Sequence, residues 1–221
     1  MFKQSAIAAG IFFSAFGWVS AQEQKYEVIP YLGYTTSNGV PIRNTEIGEG
    51  IVANKLTPSS GFSLGVNFNV FITEHFSVGF NFAEQGSQLE VGTNSGEARN
   101  FNDMKLDNYH GIFSYNFGDE EEQIRPYVFC GLGATRYRFS PFEGQSIDSN
   151  TRFSTTWGGG FKAYFSRHVG VVGQFRWTPT YIRSDPGGIW CSPAYPWACW
   201  VVPSDHYSHQ ADFTGGVVFR F

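Results

Sequence analysis

Charge is what this chain has least of. Only 15% of its residues are Asp, Glu, Lys or Arg, against about a quarter in ordinary soluble domains. The formal net charge of −4 excludes a nucleic-acid partner and a strong surface field. Cysteine is scarce as well. Three residues are too few for a scaffold built on disulfides. Beyond Val19 no apolar run reaches the roughly 18 residues that a membrane-spanning helix needs. No spacing of His, Cys, Asp or Glu implies a metal or another cofactor. What the chain has instead is aromatic side chains, 18% of the total, and 26 glycines.

The first residues, "MFKQSAIAAGIFFSAFGWVSA", read as a secretory signal peptide. Lys3 supplies the positive start, Ile7 to Val19 the apolar stretch, and Val19 and Ala21 a cleavage site. The expectation is a cleaved segment 1–21 and a single domain over 22–221. The alternative, a membrane anchor, has only about 13 apolar residues to work with, too few to span comfortably. In an oxidising compartment Cys191 and Cys199, seven residues apart in a Pro-rich stretch, are free to pair. Cys130 is left over on a strand and reads as a buried structural thiol.

Period-2 alternation then runs through the chain, predicting eight strands near 25–36, 60–72, 75–87, 104–117, 125–139, 151–165, 168–181 and 207–221. One parity of each is apolar and aromatic: Phe62, Leu64, Phe68 on the second, Phe76, Val78, Phe80 on the third, Tyr127, Phe129, Tyr137 on the fifth, Phe213, Val217, Phe219, Phe221 on the last. The other parity carries Asn67, Asn81, His110, Arg136, Arg138, Arg152, Lys162, Arg176, Asp212 and Arg220. Parity does not say which face lies outside. A soluble lipocalin-like barrel turns the rings in; a transmembrane barrel turns them out against lipid.

Three features favour lipid. Links after the second, fourth and sixth strands are short, and those after the others are long (about 37–59, 88–103, 140–150 and 182–206), as in bacterial outer-membrane barrels. Ten residues at about 3.3 Å, tilted by about 40°, cover the roughly 25 Å apolar band. Aromatics also gather at both strand ends, where interfacial girdles form. In hydrocarbon an unpaired backbone group costs several kcal/mol, so the sheet must close. The fold expected is therefore all-β, an eight-stranded antiparallel up-and-down transmembrane β-barrel.

On these strands, on "RPYVFCGLGATRYRF" and on the terminal "TGGVVFRF", the chain resembles the outer-membrane β-barrel domain family of OmpA/OmpX type. The resemblance covers 22–221. It implies a bacterial outer-membrane location, contact with membrane lipid and lipopolysaccharide, and an assembly signal made of Thr214, Gly216, Phe219 and Phe221, read by the barrel-assembly machinery. It settles location better than activity.

Eight strands leave an interior just wide enough for side chains, which disfavours a general pore. Charges inside need partners, and neighbouring strands suggest Glu27 with Arg220 and Arg176 with Asp212. Arg136, Arg138 and Arg152, toward the outer mouth, offer a site for anions or a solvated rim. The loop "IWCSPAYPWACW" brings four aromatics around Cys191 and Cys199, suited to an extracellular ligand or host surface, or to plugging the rim. In "SDHYSHQAD", His206 and Ser208 share a parity, and "HYS" resembles the His-x-Ser of the outer-membrane lipid A 3-O-deacylase. There the residue after Ser is Asn; here it is His209. His206 and His209 point to opposite faces, which argues against a metal site. The leading reading is a non-enzymatic envelope or surface-contact protein; the alternatives are a lipid A hydrolase and a narrow solute channel.

Overall fold

In a computed structural model, the structure describes residues 25–46, 52–93, 98–140, 149–184, 190–192, 195–200, 202 and 204–221. Segment 1–21, with the expected signal peptide, lies outside them. The described residues form twelve strands in chain order: β1 (Tyr26–Ser37), β2 (Val40–Glu46), β3 (Val52–Pro58), β4 (Gly61–Phe71), β5 (Phe76–Thr93), β6 (Ala98–Asn116), β7 (Ile124–Phe139), β8 (Asn150–Tyr164), β9 (Val169–Ile182), β10 (Trp190–Ser192), β11 (Tyr195–Trp200) and β12 (His206–Arg220).

Eight of them close into an antiparallel barrel in the order β1-β4-β5-β6-β7-β8-β9-β12, with β12 returning to β1. Closure continues past the last strand residue: Tyr26 and Phe221 exchange backbone hydrogen bonds of 2.9 and 3.0 Å. The register also gives the stagger. From Tyr26 the partners run Val70, Val78, Phe113, Cys130, Trp157, Trp177, Ala211 and back to Thr36 on β1. One circuit therefore climbs ten residues. With about 3.3 Å per residue and about 4.8 Å between strands, that stagger tilts eight strands by about 40°.

The connections at one end are tight. Phe76 N–H donates to Thr73 Oγ1 at 3.1 Å, and Val169 N–H to Ser166 Oγ at 3.1 Å. Gly118 opens the turn before β7 with φ +76°, and a Cβ there would meet the Glu122 carboxylate at 2.3 Å; a left-handed backbone suits glycine. At the other end the long links contain structure of their own. β2 and β3 form a hairpin inside 37–59, and β3 pairs with the upper part of β5. Most of 88–103 is not loop at all but the extension of β5 and β6. β10 and β11 form a separate hairpin within 182–206.

The outer wall is apolar and open to the surroundings. Phe62 is 80% exposed and Phe165 77%, a cost in water that lipid removes. Along β5 the solvent rule reverses partway up. Phe76, Val78 and Phe80 face out and Ser77 and Asn81 are buried inside. Higher up, Leu89 and Val91 turn inward and pack with Met104, Leu106, Val40, Ile42 and Leu56 in an apolar core. The barrel thus has a mainly polar interior across the membrane, with an apolar cluster of Ile29, Ile112, Tyr127, Phe129, Val172 and Val218 set into it, and an apolar interior above it.

One strand differs from expectation. On β7, Tyr127, Phe129, Thr135 and Tyr137 are buried inside, while Val128 and Leu132 face lipid and Arg136 is exposed outside. Both parities of β7 are apolar, so either satisfies lipid. Arg125 shares the parity of Tyr127 and is 1% exposed; turned outward at the foot of the strand, its guanidinium would face lipid. Cys130, a free thiol, accordingly lies half-buried on the outward side rather than in the core.

Candidate functional site

Three layers fill the lumen. The lowest is ionic. Glu27 and Arg220 are register partners on β1 and β12, and Arg220 Nη2 lies 3.3 Å from Glu27 Oε1. Lys162 of β8 donates to Glu27 Oε2 at 2.5 Å and to Asn116 Oδ1 at 2.9 Å. Tyr164 OH donates to Glu27 Oε1 at 2.6 Å and accepts from Arg220 at 3.1 Å. One carboxylate therefore holds two cations and a phenol. Arg125 sits nearby, donating to the carbonyls of Glu74 at 2.9 Å and Gly118 at 3.1 Å, which ties the layer to the tight turns.

The middle layer is built on Arg176. Asp212 is its register partner, but the two form no ion pair. Arg176 reaches across to Tyr31 OH at 2.7 Å and Asn81 Oδ1 at 2.8 Å, and Asp212 instead accepts from Thr35. The long guanidinium finds two acceptors at the lumen axis, whereas the short aspartate stays at the wall. Tyr31 and Phe129 flank the cation at 5.0 and 5.8 Å from their ring centres, in the range of cation–π attraction. Two glycines make the room. A Cβ on Gly216 would meet Tyr31 Cβ at 2.8 Å, and one on Gly158 would meet Phe129 Cζ at 2.5 Å.

The upper layer is a mesh of short polar side chains. Thr135 donates to Asn108 at 2.6 Å, Asn108 to Gln210 at 3.1 Å, Thr180 to Thr135 at 3.1 Å, and His110 Nε2 stands 2.9 Å from Ser154 Oγ. Ser154, Thr156, Thr178, Thr180, His110 and Gln210 have 0% exposure. A water-filled channel beside them would leave them accessible.

The remaining sequence candidates sit at the long-loop end. His206 and Ser208 are not brought together: His206 Nδ1 partners Ser204 O at 2.7 Å, and Ser208 Oγ donates to Asn38 O at 3.3 Å. A nucleophile needs its base within hydrogen-bond reach. Beside them, the exposed Asp205 carboxyl is held below the usual carboxylate range by Tyr181 and by Ser184 N–H. Cys191 and Cys199 are backbone register partners in the β10–β11 hairpin; their side chains lie outside the described residues. Thr214 and Gly216 fall on the inward parity of β12, and Phe219 and Phe221 on the outward one, both partly exposed. Arg136 and Arg138, expected inside, lie on the outer wall of β7, above the ring of exposed aromatics. No group of three or more His, Cys, Asp or Glu among the described residues could hold a metal ion.

A closed antiparallel barrel of eight tilted strands, with rings outside and a packed polar interior, is a transmembrane β-barrel. The chain belongs to the outer membrane protein β-barrel domain family, whose model matches residues 6–221, and it resides in the bacterial outer membrane. Its short turns are periplasmic and its long connections extracellular. Among solved structures it is similar to the outer membrane protein OprG from Pseudomonas aeruginosa, with TM-score 0.59 and 15% identity over 90% of this chain and 97% of that one. It is similar also to Neisserial surface protein A, with TM-score 0.58 and 14% identity over 89% and 97%. At such identity these likenesses show the fold. No curated protein matches the sequence.

Proposed function

We propose that this protein is a closed, non-enzymatic barrel that supports the outer membrane and meets its surroundings through its extracellular sheet and loops. The observation that carries the reading is the packed lumen: from Glu27 to Gln210 most interior side chains have almost no accessible surface, and three bonded layers cross it. Among the described residues such an interior leaves no path for solute, and His206 and Ser208 lack the contact that hydrolysis would require. The extracellular part supplies what a contact surface needs, a rigid paired sheet with its own apolar core, carrying the segments 37–59 and 182–206 toward an extracellular ligand or host surface. We read residues 1–21 as the export signal and Thr214, Gly216, Phe219 and Phe221 as the feature met by the barrel-assembly machinery.

Single-channel recording in planar bilayers tests the reading. The wild type is expected to give no resolved conductance steps, whereas Arg176→Ala, which removes the central bonds across the lumen, is expected to give brief ones. Stable open steps from the wild type would overturn the closed lumen.

A further inference from the structure

The floor of the lumen holds more positive charge than negative. Arg125, Lys162 and Arg220 are 1%, 1% and 3% exposed, and Glu27, at 1%, is the one carboxylate buried at that level among the described residues. Arg125 and Lys162 are register partners on β7 and β8, as Glu27 and Arg220 are on β1 and β12. A buried ion without a counter-charge is strongly destabilising, and a guanidinium cannot shed its proton.

The three cations are not equally served. Lys162 and Arg220 both hold Glu27. Each also lies over a ring, Lys162 at 4.9 Å from the centre of Tyr127 and Arg220 at 4.5 Å from that of Tyr164. Arg125 has neither kind of support. Its Nη2 donates to the carbonyls of Glu74 at 2.9 Å and Gly118 at 3.1 Å, and its Nε is buried with no partner. Carbonyl dipoles answer part of a full charge, not the whole.

This charge lies within reach of the periplasm. The tight turn between β6 and β7 carries Asp119, Glu120, Glu121 and Glu122, all exposed. One of them turns back: Glu120 Oε1 stands 3.5 Å from Arg220 Nη1 while its side chain stays 45% exposed. The Glu120 N–H donates to Glu74 Oε1 at 2.9 Å, and Glu74 and Gly118 are the residues whose carbonyls Arg125 holds. Arg125, Arg220 and the tip of Glu120 therefore share one mouth, and a carboxylate from the water side already reaches its inner wall. At that distance, with solvent around it, Glu120 is a loose occupant. The other acids of the turn are screened by water and salt, the buried cations much less so.

We infer that the periplasmic mouth of the barrel binds a small inorganic anion between Arg125 and Arg220, in the place that Glu120 loosely fills. Such an anion accepts hydrogen bonds from every side, and the mouth offers charged donors in Arg125 Nε and Arg220 Nη1. Glu120 is then a tethered competitor, whose carboxylate leaves when the anion enters. The site lies beneath the middle and upper layers and is independent of the closed lumen; open conductance steps with the anion still bound would sink only the latter.

The test uses chloride as the probe. Its NMR line broadens when the ion exchanges with a protein site, and the linewidth is measured on the purified barrel in uncharged maltoside micelles, against empty micelles. The wild type is expected to broaden the line, and added phosphate to narrow it again by competition. Glu120→Gln, a change to an exposed side chain, is expected to tighten chloride about threefold, the scale of an exposed ion pair. Arg125→Gln is expected to weaken it about tenfold, the scale of a charge-assisted bond, and Arg125→Lys to recover part of that loss. A wild type that broadens the line no more than empty micelles would overturn the proposal. So would chloride binding left unchanged or weakened by Glu120→Gln, which holds the proposal to account even where Arg125→Gln fails to fold.

Discussion

Lys162 Nζ lies 2.5 Å from Glu27 Oε2, across the periplasmic end of the lumen, and both side chains are about 1% exposed. The bond joins β8 to β1, strands that do not neighbour each other in the sheet. It is therefore a strut between walls. Arg220 and Tyr164 complete it, so that a single carboxylate gathers groups from β1, β8 and β12.

Replacing that carboxylate is expected to be costly. Glu27→Gln leaves Lys162 buried without its counter-ion and Arg220 with Glu120 alone, 3.5 Å away; stranding a buried charge costs about 3–5 kcal/mol in systems of this kind. Urea unfolding of the barrel reconstituted in lipid vesicles measures it. Glu27→Gln combined with Lys162→Met is expected to recover part of the loss, because the second change removes one of the stranded charges. A single variant as stable as wild type would show that the strut has no energetic role.

The orientation of β7 has a direct chemical test. Arg136 is exposed and Tyr137 buried at 2%. On intact cells, Arg136→Cys is expected to react with a membrane-impermeant maleimide, and Tyr137→Cys to react only after unfolding. Reversed labelling would return β7 to the parity first read from its rings.

The hairpin of β10 and β11 makes its own prediction. Opposed Cα atoms in an antiparallel pair stand about 4.5–5.5 Å apart, within the span of a disulfide. Cys191 and Cys199 are opposed in this way. Thiol counting by mass under denaturing, non-reducing conditions is expected to find one free cysteine, Cys130, and reduction to reveal two more. The bridge closes a loop short enough to stabilise the hairpin by about 2.5 kcal/mol in the chain-entropy picture. Three free thiols before reduction would exclude it.

Much of this architecture is legible in the sequence because a membrane barrel obeys a strict alternation. Phe62 and Leu64, or Phe213 and Val217, could face only lipid once Asn67 and Asp212 claimed the other side. β7 resists the same reading because Val128 and Leu132 suit lipid as well as Tyr127 and Phe129 do. The signal that decides it was present in Arg125, which shares their parity. Glu27 and Arg220 lie on strands that closure makes neighbours, so their proximity follows from counting. Lys162 and Tyr164 do not, because they reach Glu27 across the lumen. That contact depends on the ten-residue stagger, which emerges only when all eight registers are known. For the same reason Arg176 leaves its register partner for Tyr31 and Asn81. The strands inside 37–59 and 88–103 escape an eye tuned to lipid-facing rings, since above the membrane the apolar residues switch sides.

That switch along β5 has a further consequence. One continuous ribbon is held at its base by hydrocarbon around it and at its top by hydrocarbon within it. Stripping away the bilayer and adding a chaotrope are thus attacks on different ends of the same molecule. The summit, around Leu89 and Met104, should melt as a water-soluble domain does, while the stem stays wound inside its micelle, so that denaturation proceeds from the cell's exterior inward.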